Sequence, residues 1–402
     1  MTPDHDSQIN ALAALAVRLG ANVQPGQIVS ISSEPGKEEL TRAIADEAYR
    51  AGAKFVDLSV FDVHLKRSRL LHGARDTLGY VPPWIGQRTL ALGDAHAARI
   101  SLSGPAAPHA LDGVDPEVIG LDMLPRIPES MTVVNDRTTN WTIVPAPTRD
   151  WAMLVHPRLE PAAALERLWA EIAHICRLDE PDPSAAWKTR FDELLRVAAG
   201  LTDRRLDLIH LEGPGTDLHV GLLPSSRWIA ASMETVDGIV HHANLPSEEV
   251  FTTPDPERVE GTVTATKPLF TSGTTVTGLR VSFEGGRAVR IDADEGAEVV
   301  RGLASRDEGA ARLGELALVD REGRIGPLGT VFYDTLLDEN AASHIALGAG
   351  YQSGIDADGD RSRVNTSQIH VDFMIGSEQI AVTGVQRDGG RIPLLREGRW
   401  QI

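Results

Sequence analysis

Cysteine is almost missing from this 402-residue chain, in which Cys176 stands alone. A single thiol rules out an internal disulfide framework and any thiolate-rich zinc site. Positive charge is also scarce, with 39 Lys and Arg against 57 Asp and Glu and a net charge of −18. A nucleic-acid surface needs clustered Lys and Arg, so this balance argues against one. No apolar run reaches the about 18 residues of a membrane span. The start, Met1-Thr-Pro-Asp-His-Asp, lacks the basic opening and apolar core of a secretion signal. Internal repeats, low-complexity tracts and long charge runs are missing as well. The expectation is a cytoplasmic protein with no nucleic-acid partner and no membrane.

What is present is informative in its order. A hydrophobic share of 42% is enough for a large core, and the length is a soft argument for two domains. Residues 9–19 carry a helical apolar stripe that Gln24-Pro25-Gly26 breaks. Residues 28–31 read as a short buried strand, 37–51 as a helix closed by Gly52, and 54–60 as another strand. This β-α-β alternation predicts a mostly parallel sheet with flanking helices. Prolines crowd the stretch 73–147, where only 98–102 reads as a strand. Residues 157–201 read as mostly helical, with Ser184 the expected N-cap for 185–199. From Leu206 the composition turns β-rich. Gly213-Pro214-Gly215 joins 206–211 to 217–222, and Gly285-Gly286 joins 279–283 to 288–291. The expected division is an α/β N-terminal domain over 1–205 and an α+β, β-rich C-terminal domain over 206–402.

The residues that carry chemistry gather in that second part. In Gln368-Ile-His370-Val-Asp372-Phe, a strand sends His370 and Asp372 to one face. Ile369, Val371 and Phe373 then take the other. Glu249 precedes Val250-Phe251, and Glu315 opens the run Glu315-Leu-Ala-Leu-Val319. Carboxylates in such company are rarely buried unless paired or bound to a cation. His344 and Tyr351 lie about two helical turns apart and would share a face of an unbroken helix. Gly348 and Gly350 argue that the pair spans a helix end instead. Taken singly, the His/Tyr pair reads as a core histidine beside a packed tyrosine, and His-x-Asp as a surface ion pair. Taken together, the five Glu, His and Asp residues are nitrogen and oxygen donors suited to zinc, cobalt or manganese. Three carboxylates and two imidazoles exceed what one tetrahedral ion needs. They suit two ions sharing a carboxylate, with Tyr351 as a further oxygen donor. A two-metal centre activates water and polarises a carbonyl at once, as amide hydrolysis requires. No compact His-Glu-x-x-His signature accompanies them.

Several longer motifs stand in order around these residues. They are Asn244-Leu-Pro-Ser-Glu-Glu249-Val-Phe-Thr-Thr-Pro, Glu260-Gly-Thr-Val, Leu313-Gly-Glu315-Leu-Ala-Leu-Val, Asp338-Glu-Asn-Ala-Ala-Ser-His344-Ile-Ala-Leu-Gly and His370-Val-Asp372-Phe-Met-Ile-Gly. On them the chain resembles the aminopeptidase T family, the thermophilic-type metallo-aminopeptidases that include aminopeptidase S. The resemblance runs over nearly the whole chain. It implies an exopeptidase acting on peptides with a free N-terminus, assembled as a homodimer. It also implies two divalent ions, zinc foremost, with cobalt, manganese or magnesium as alternatives. The family's ligand pattern falls on Glu249, Glu315, His344, Tyr351, His370 and Asp372, with Glu315 or Glu249 bridging. Glu339 is the candidate general base, its alternative being a helix-start carboxylate that answers the macrodipole. His241 and His242 read as an exposed strand-end pair that could touch substrate. His210 and His219 read as structural, and Asp217 has no assigned role. The acidic loop 354–361 departs from the family pattern and bears on the entrance to the site. Two other readings stand beside the aminopeptidase: hydrolysis of a non-peptide amide or dipeptide on the same site, and a non-catalytic metal-binding scaffold.

Overall fold

Strands β1 (Ile28–Ser33), β2 (Phe55–Val60), β3 (Ala98–Ser103) and β4 (Trp141–Pro145) pair in the order β2-β1-β3-β4, every pair parallel. Parallel neighbours need crossovers, and helices such as Glu38–Arg50 and Pro83–Asp94 supply them. The proline-crowded stretch contains the helices Pro83–Asp94 and Pro128–Asn135, each with proline in its first turn. There the missing N–H costs nothing. The computed structural model describes residues 5–122, 124–125, 127–230, 232–271, 274–356 and 358–402. Met1–Asp4, where the secretion-signal argument begins, and Ala357 of the acidic loop lie outside the described residues.

Two compact units share the chain: Met1–Lys188 with Ser232–Pro246, and Thr189–Ala231 with Ser247–Ile402. The division falls inside the helix Pro183–Asp203, while the change of composition comes near residue 205. That helix starts at Pro183, one residue before its expected cap Ser184. Asp182 Oδ1 accepts from Ala185 N at 3.0 Å, so Asp182 and not Ser184 closes its start.

Among the described residues, the second unit holds an eight-stranded and a five-stranded antiparallel sheet that share one large core, with a short ribbon of Leu269–Thr271 and Thr274–Val276 beside them. Its eight-stranded sheet contains both expected hairpins, Leu208–Gly213 with Thr216–Leu222 and Arg280–Glu284 with Arg287–Asp292. Gly285 and Gly286 have φ of +55° and +78°, the pair of positive values that a two-residue type I′ turn needs. The five-stranded sheet runs in the order His370–Met374, His344–Gly348, Leu313–Val319, Glu249–Thr252, Trp228–Ala230. Its register puts Glu249 opposite Val319, Ala317 opposite His344, Glu315 opposite Ala346, and Ala346 opposite Asp372. By alternation, Glu249, Glu315, His344, His370 and Asp372 all leave one face. Val250, Leu316, Leu318, Ile345, Leu347, Val371 and Phe373 leave the other and enter the core.

One irregularity makes this possible. Leu313 pairs with Leu347, yet Glu315 pairs with Ala346, so Gly314 is an extra residue in its strand. The bulge lets Leu313 enter the core while Glu315, two residues on, emerges on the opposite face. A Cβ at Gly314 would run into the carbonyl oxygens of Gly348 and Ala349. Gly314→Ala should therefore lower stability by about 1–3 kcal/mol, as overpacking does. It should also reduce bound metal by turning Glu315. Thermal melting with elemental analysis checks both, and a variant with unchanged metal content would detach the bulge from the site.

Candidate metal centre

The His370 strand behaves as its alternation predicts, but the His344 segment does not form a helix. Residues 344–348 are a strand buried on both faces, which removes the period that would have revealed it. Gly348, at φ +108°, ends that strand, and Tyr351 follows in extended conformation ahead of the turn Gln352–Gly354. Strand and turn, rather than two helical turns, set the seven-residue spacing.

Backbone carbonyls aim both imidazoles. His344 Nδ1 donates to Ala342 O at 3.2 Å, and His370 Nδ1 donates to Ala349 O at 2.7 Å. Each Nε2 is thereby turned toward carboxylates. His344 Nε2 lies 3.1 Å from Glu249 Oε2, while His370 Nε2 lies 3.2 Å from both Glu315 Oε2 and Asp372 Oδ1. Donor atoms of Glu249, Glu315 and His344 fall within 4.8 Å of one another, and so do those of Glu315, His370 and Asp372. Glu315 belongs to both groups. The Tyr351 ring stands 5.2 Å from that of His370, and Thr253 Oγ1 holds the Tyr351 backbone by donating to its carbonyl at 2.7 Å. Glu339 is the last residue of the short helix Thr335–Glu339. A carboxylate there opposes the macrodipole, so the helix-start explanation fails.

The electrostatics record an excess of buried negative charge. Burial, with Asp372 and Glu249 adding, holds Glu339 well above the usual carboxylate range; burial also raises Glu315, with His370 opposing. Burial works against the Asp372 carboxylate too, but His370 outweighs it and keeps that group low. For His344, burial opposes protonation, yet the bond and charge of Glu249 push it up to about 10. His370 is raised well above its ordinary value against the same opposition, Asp372 foremost. The Tyr351 phenol is raised by burial, with His370 opposing and Glu315 adding. Glu249 Oε2 is buried and faces His344 Nε2 across 3.1 Å. Four carboxylates against two imidazoles is a donor set that fits divalent cations.

Other acids and histidines are accounted for differently. In the loop 354–361, Asp360 accepts from Ser225 N at 2.9 Å, and Asp356 and Asp358 lie within 3.1 Å and 3.0 Å of Arg205 and Arg361. His241 and His242 are buried rather than exposed and belong to the first unit. Burial pushes His241 down to about 4. His210, Asp217 and His219 form a third donor group on the hairpin of the eight-stranded sheet. Arg391 donates to His210 Nδ1 at 3.0 Å, and a guanidinium only donates. His210 Nε2 then carries the proton and donates to Asp217 Oδ1 at 2.8 Å, so it has no lone pair for an ion. The group closes as an ionic hydrogen-bond network, in keeping with a structural role. Sequence reasoning gave no role to Glu248, Asp320 or Asn340. The consecutive acids Glu248-Glu249 in apolar surroundings were the one available signal.

Comparison with known proteins gives a consistent result. The family model for thermophilic metalloproteases (M29) matches residues 5–400. Aminopeptidase T of Thermus thermophilus is 41% identical over 402 residues, covering 98% of each chain. Aminopeptidase 2 of Geobacillus stearothermophilus is 34% identical, again covering 98% of each chain. The solved structure of wild-type AmpT from Thermus thermophilus superposes with a TM-score of 0.92 at 40% identity, covering 99% of this chain and 100% of that one. A 2,5-dihydroxypyridine dioxygenase from Pseudomonas putida KT2440 shares the fold alone, at a TM-score of 0.55 and 13% identity, covering 99% of this chain and 98% of that one.

The His344 shift has a signed consequence for metal-free protein. Its folded value, about 10, lies above the unfolded value of about 6.5. The stability it contributes is therefore complete below about pH 6.5 and is lost as pH rises through about 10. Chelated protein should lose melting temperature across that window more steeply than metal-loaded protein, whose His344 Nε2 is no longer free to bind a proton. Parallel melting curves for the two forms would contradict this pairing.

Proposed function

The chain belongs to the thermophilic metalloprotease (M29) family, and from that premise we propose a metal-dependent aminopeptidase that works with two divalent ions held in its C-terminal domain. The observation that carries the reading is the position of Glu315, the donor common to both ligand groups. Glu249 and His344 would hold one ion and His370 and Asp372, with Tyr351, the other, Glu315 lying within reach of both. When bound, the ions supply an activated water and a polarised carbonyl. Zinc suits this mixed donor set, and cobalt, manganese or magnesium can replace it. Glu339, whose carboxyl is influenced by Asp372, Glu249, His344 and Glu315, takes the proton of the attacking water and returns it to the departing amine. The surplus of carboxylates draws in the protonated N-terminus of a peptide. A homodimer in the cytoplasm completes the proposal, on the strength of the family resemblance and the lone cysteine.

Dialysis against chelator should abolish hydrolysis of a short peptide, and added zinc, cobalt, manganese or magnesium should restore it at ion-dependent rates. Full turnover by protein shown metal-free by elemental analysis would end the proposal.

The N-acetyl twin of the same peptide should be a far poorer substrate, since acetylation removes the amine's charge and its lone pair. Because a neutral amine is required, kcat/KM should rise with pH toward about 8, the ordinary α-amino value. Equal rates for the two peptides would indicate an endopeptidase or an amidase.

A further inference from the structure

Between Glu339 and His344 lie two polar side chains with no part in the scheme above, Asn340 and Ser343. Asn340 is fully buried. Its Oδ1 accepts from Glu248 N at 2.6 Å, and its Nδ2 donates to Leu336 O at 3.0 Å. Glu248 is the residue before Glu249, and Asn340 is the residue after Glu339. One amide thus ties the head of a ligand-bearing strand to the last turn of the helix that ends on the candidate base.

The strand end of this tie is itself fixed. The fully buried carboxylate of Glu248 accepts from Arg190 Nε at 2.6 Å. Arg190 also donates to both oxygens of Asp320, at 2.8 Å and 3.2 Å. Asp320 follows Val319, the register partner of Glu249. Ser343 Oγ accepts from Val319 N at 3.0 Å. The span from Glu339 to His344 is therefore pinned at one end to the Glu249 strand and at the other to the Glu315 strand.

We propose that Asn340 is the positioning residue for Glu339, an inference that rests on the base assignment above. A helix of five residues cannot hold itself in place. Glu249, Glu315, His344, His370 and Asp372 sit on strands with their own ladder bonds, whereas Glu339 ends a short helix that is held by the Asn340 amide on one side and by Asp338, accepting from Phe332 N at 2.8 Å, on the other. Losing the amide would free that end and leave a buried Glu248 N–H unpaired. Asn340 donates and accepts no bond with a ligand side chain, so its loss should act on turnover and not on the ions.

The test is a double-mutant cycle in the metal-loaded enzyme. Asn340→Ala should lower kcat by about 10–100-fold, the range for supporting residues. KM and metal content should stay within about twofold. Asn340→Gln keeps both the acceptor and the donor without adding charge and should recover part of kcat, and it carries the cycle should the alanine variant fail to fold. In a Glu339→Gln background, the Asn340 substitution should cost nothing further in kcat. An equal cost in both backgrounds, or metal lost in step with kcat, overturns the proposal. If Glu339→Gln alone leaves kcat within about threefold, the base assignment itself has failed, and that result is separate from any effect of Asn340.

Discussion

Buried negative charge is the constraint around which the second unit is built. Glu249, Glu315 and Asp372 leave one face of a five-stranded sheet, and Glu339 is influenced by all three. Two imidazoles cannot balance them. Carboxylates removed from water and crowded together resist joint ionisation. Such a face is stable in one of two ways, with protons on Glu315 and Glu339 or with cations among the donors. The upward shifts of those two groups describe the first state, and the family describes the second. Metal binding and proton release are then a single equilibrium.

Holding that charge in place falls to apolar packing on the far side. Val250, Leu316, Leu318, Ile345, Val371 and Phe373 bury the face opposite the donors, so each donor sits on an element whose register cannot slip without exposing a core residue. Among the described residues of the five-stranded sheet, the Gly314 bulge is the one departure from strict alternation, and it falls beside the shared carboxylate. Arg190 with Glu248 and Asp320 adds a buried ionic anchor behind the same strands. Buried ion pairs contribute little net stability against their desolvation. This one contributes geometry, because it fixes the residue adjoining Glu249.

Features encoded locally were legible in the sequence. Gly285-Gly286 set their turn by backbone freedom and Pro214-Gly215 by a fixed φ followed by a positive one, and both hairpins follow. The His370-x-Asp372 alternation also held, since one face of that strand is apolar and the other is not. The His344 run was misread as the neighbourhood of a helix end because both of its faces are buried, which leaves no period to read. The order of strands that brings residue 249 beside 315, 344 and 372 depends on pairings between distant residues, Glu249 with Val319 among them, and no local pattern encodes it. The Asn340 tie is of the same kind, joining residues 248 and 340. Asp182 displaced Ser184 as a cap through one hydrogen bond, a choice between neighbours that propensity ranks as equals.

Two sites in this unit have nearly the same ingredients and differ in chemistry. One pairs His344 and His370 with acids, and the other pairs His210 and His219 with Asp217. The difference lies at the second nitrogen of the imidazole. Carbonyls of Ala342 and Ala349 take the Nδ1 protons of His344 and His370, which turns each Nε2 toward the carboxylates, where a cation could take the place of its proton. The Arg391 guanidinium occupies His210 Nδ1 and forces the proton onto Nε2, so that ring can only donate to Asp217. A backbone acceptor behind a histidine leaves its other nitrogen open to a cation, and a cationic donor behind it makes it a hydrogen-bond partner. Counting donors cannot separate the two sites. The atom behind each ring can.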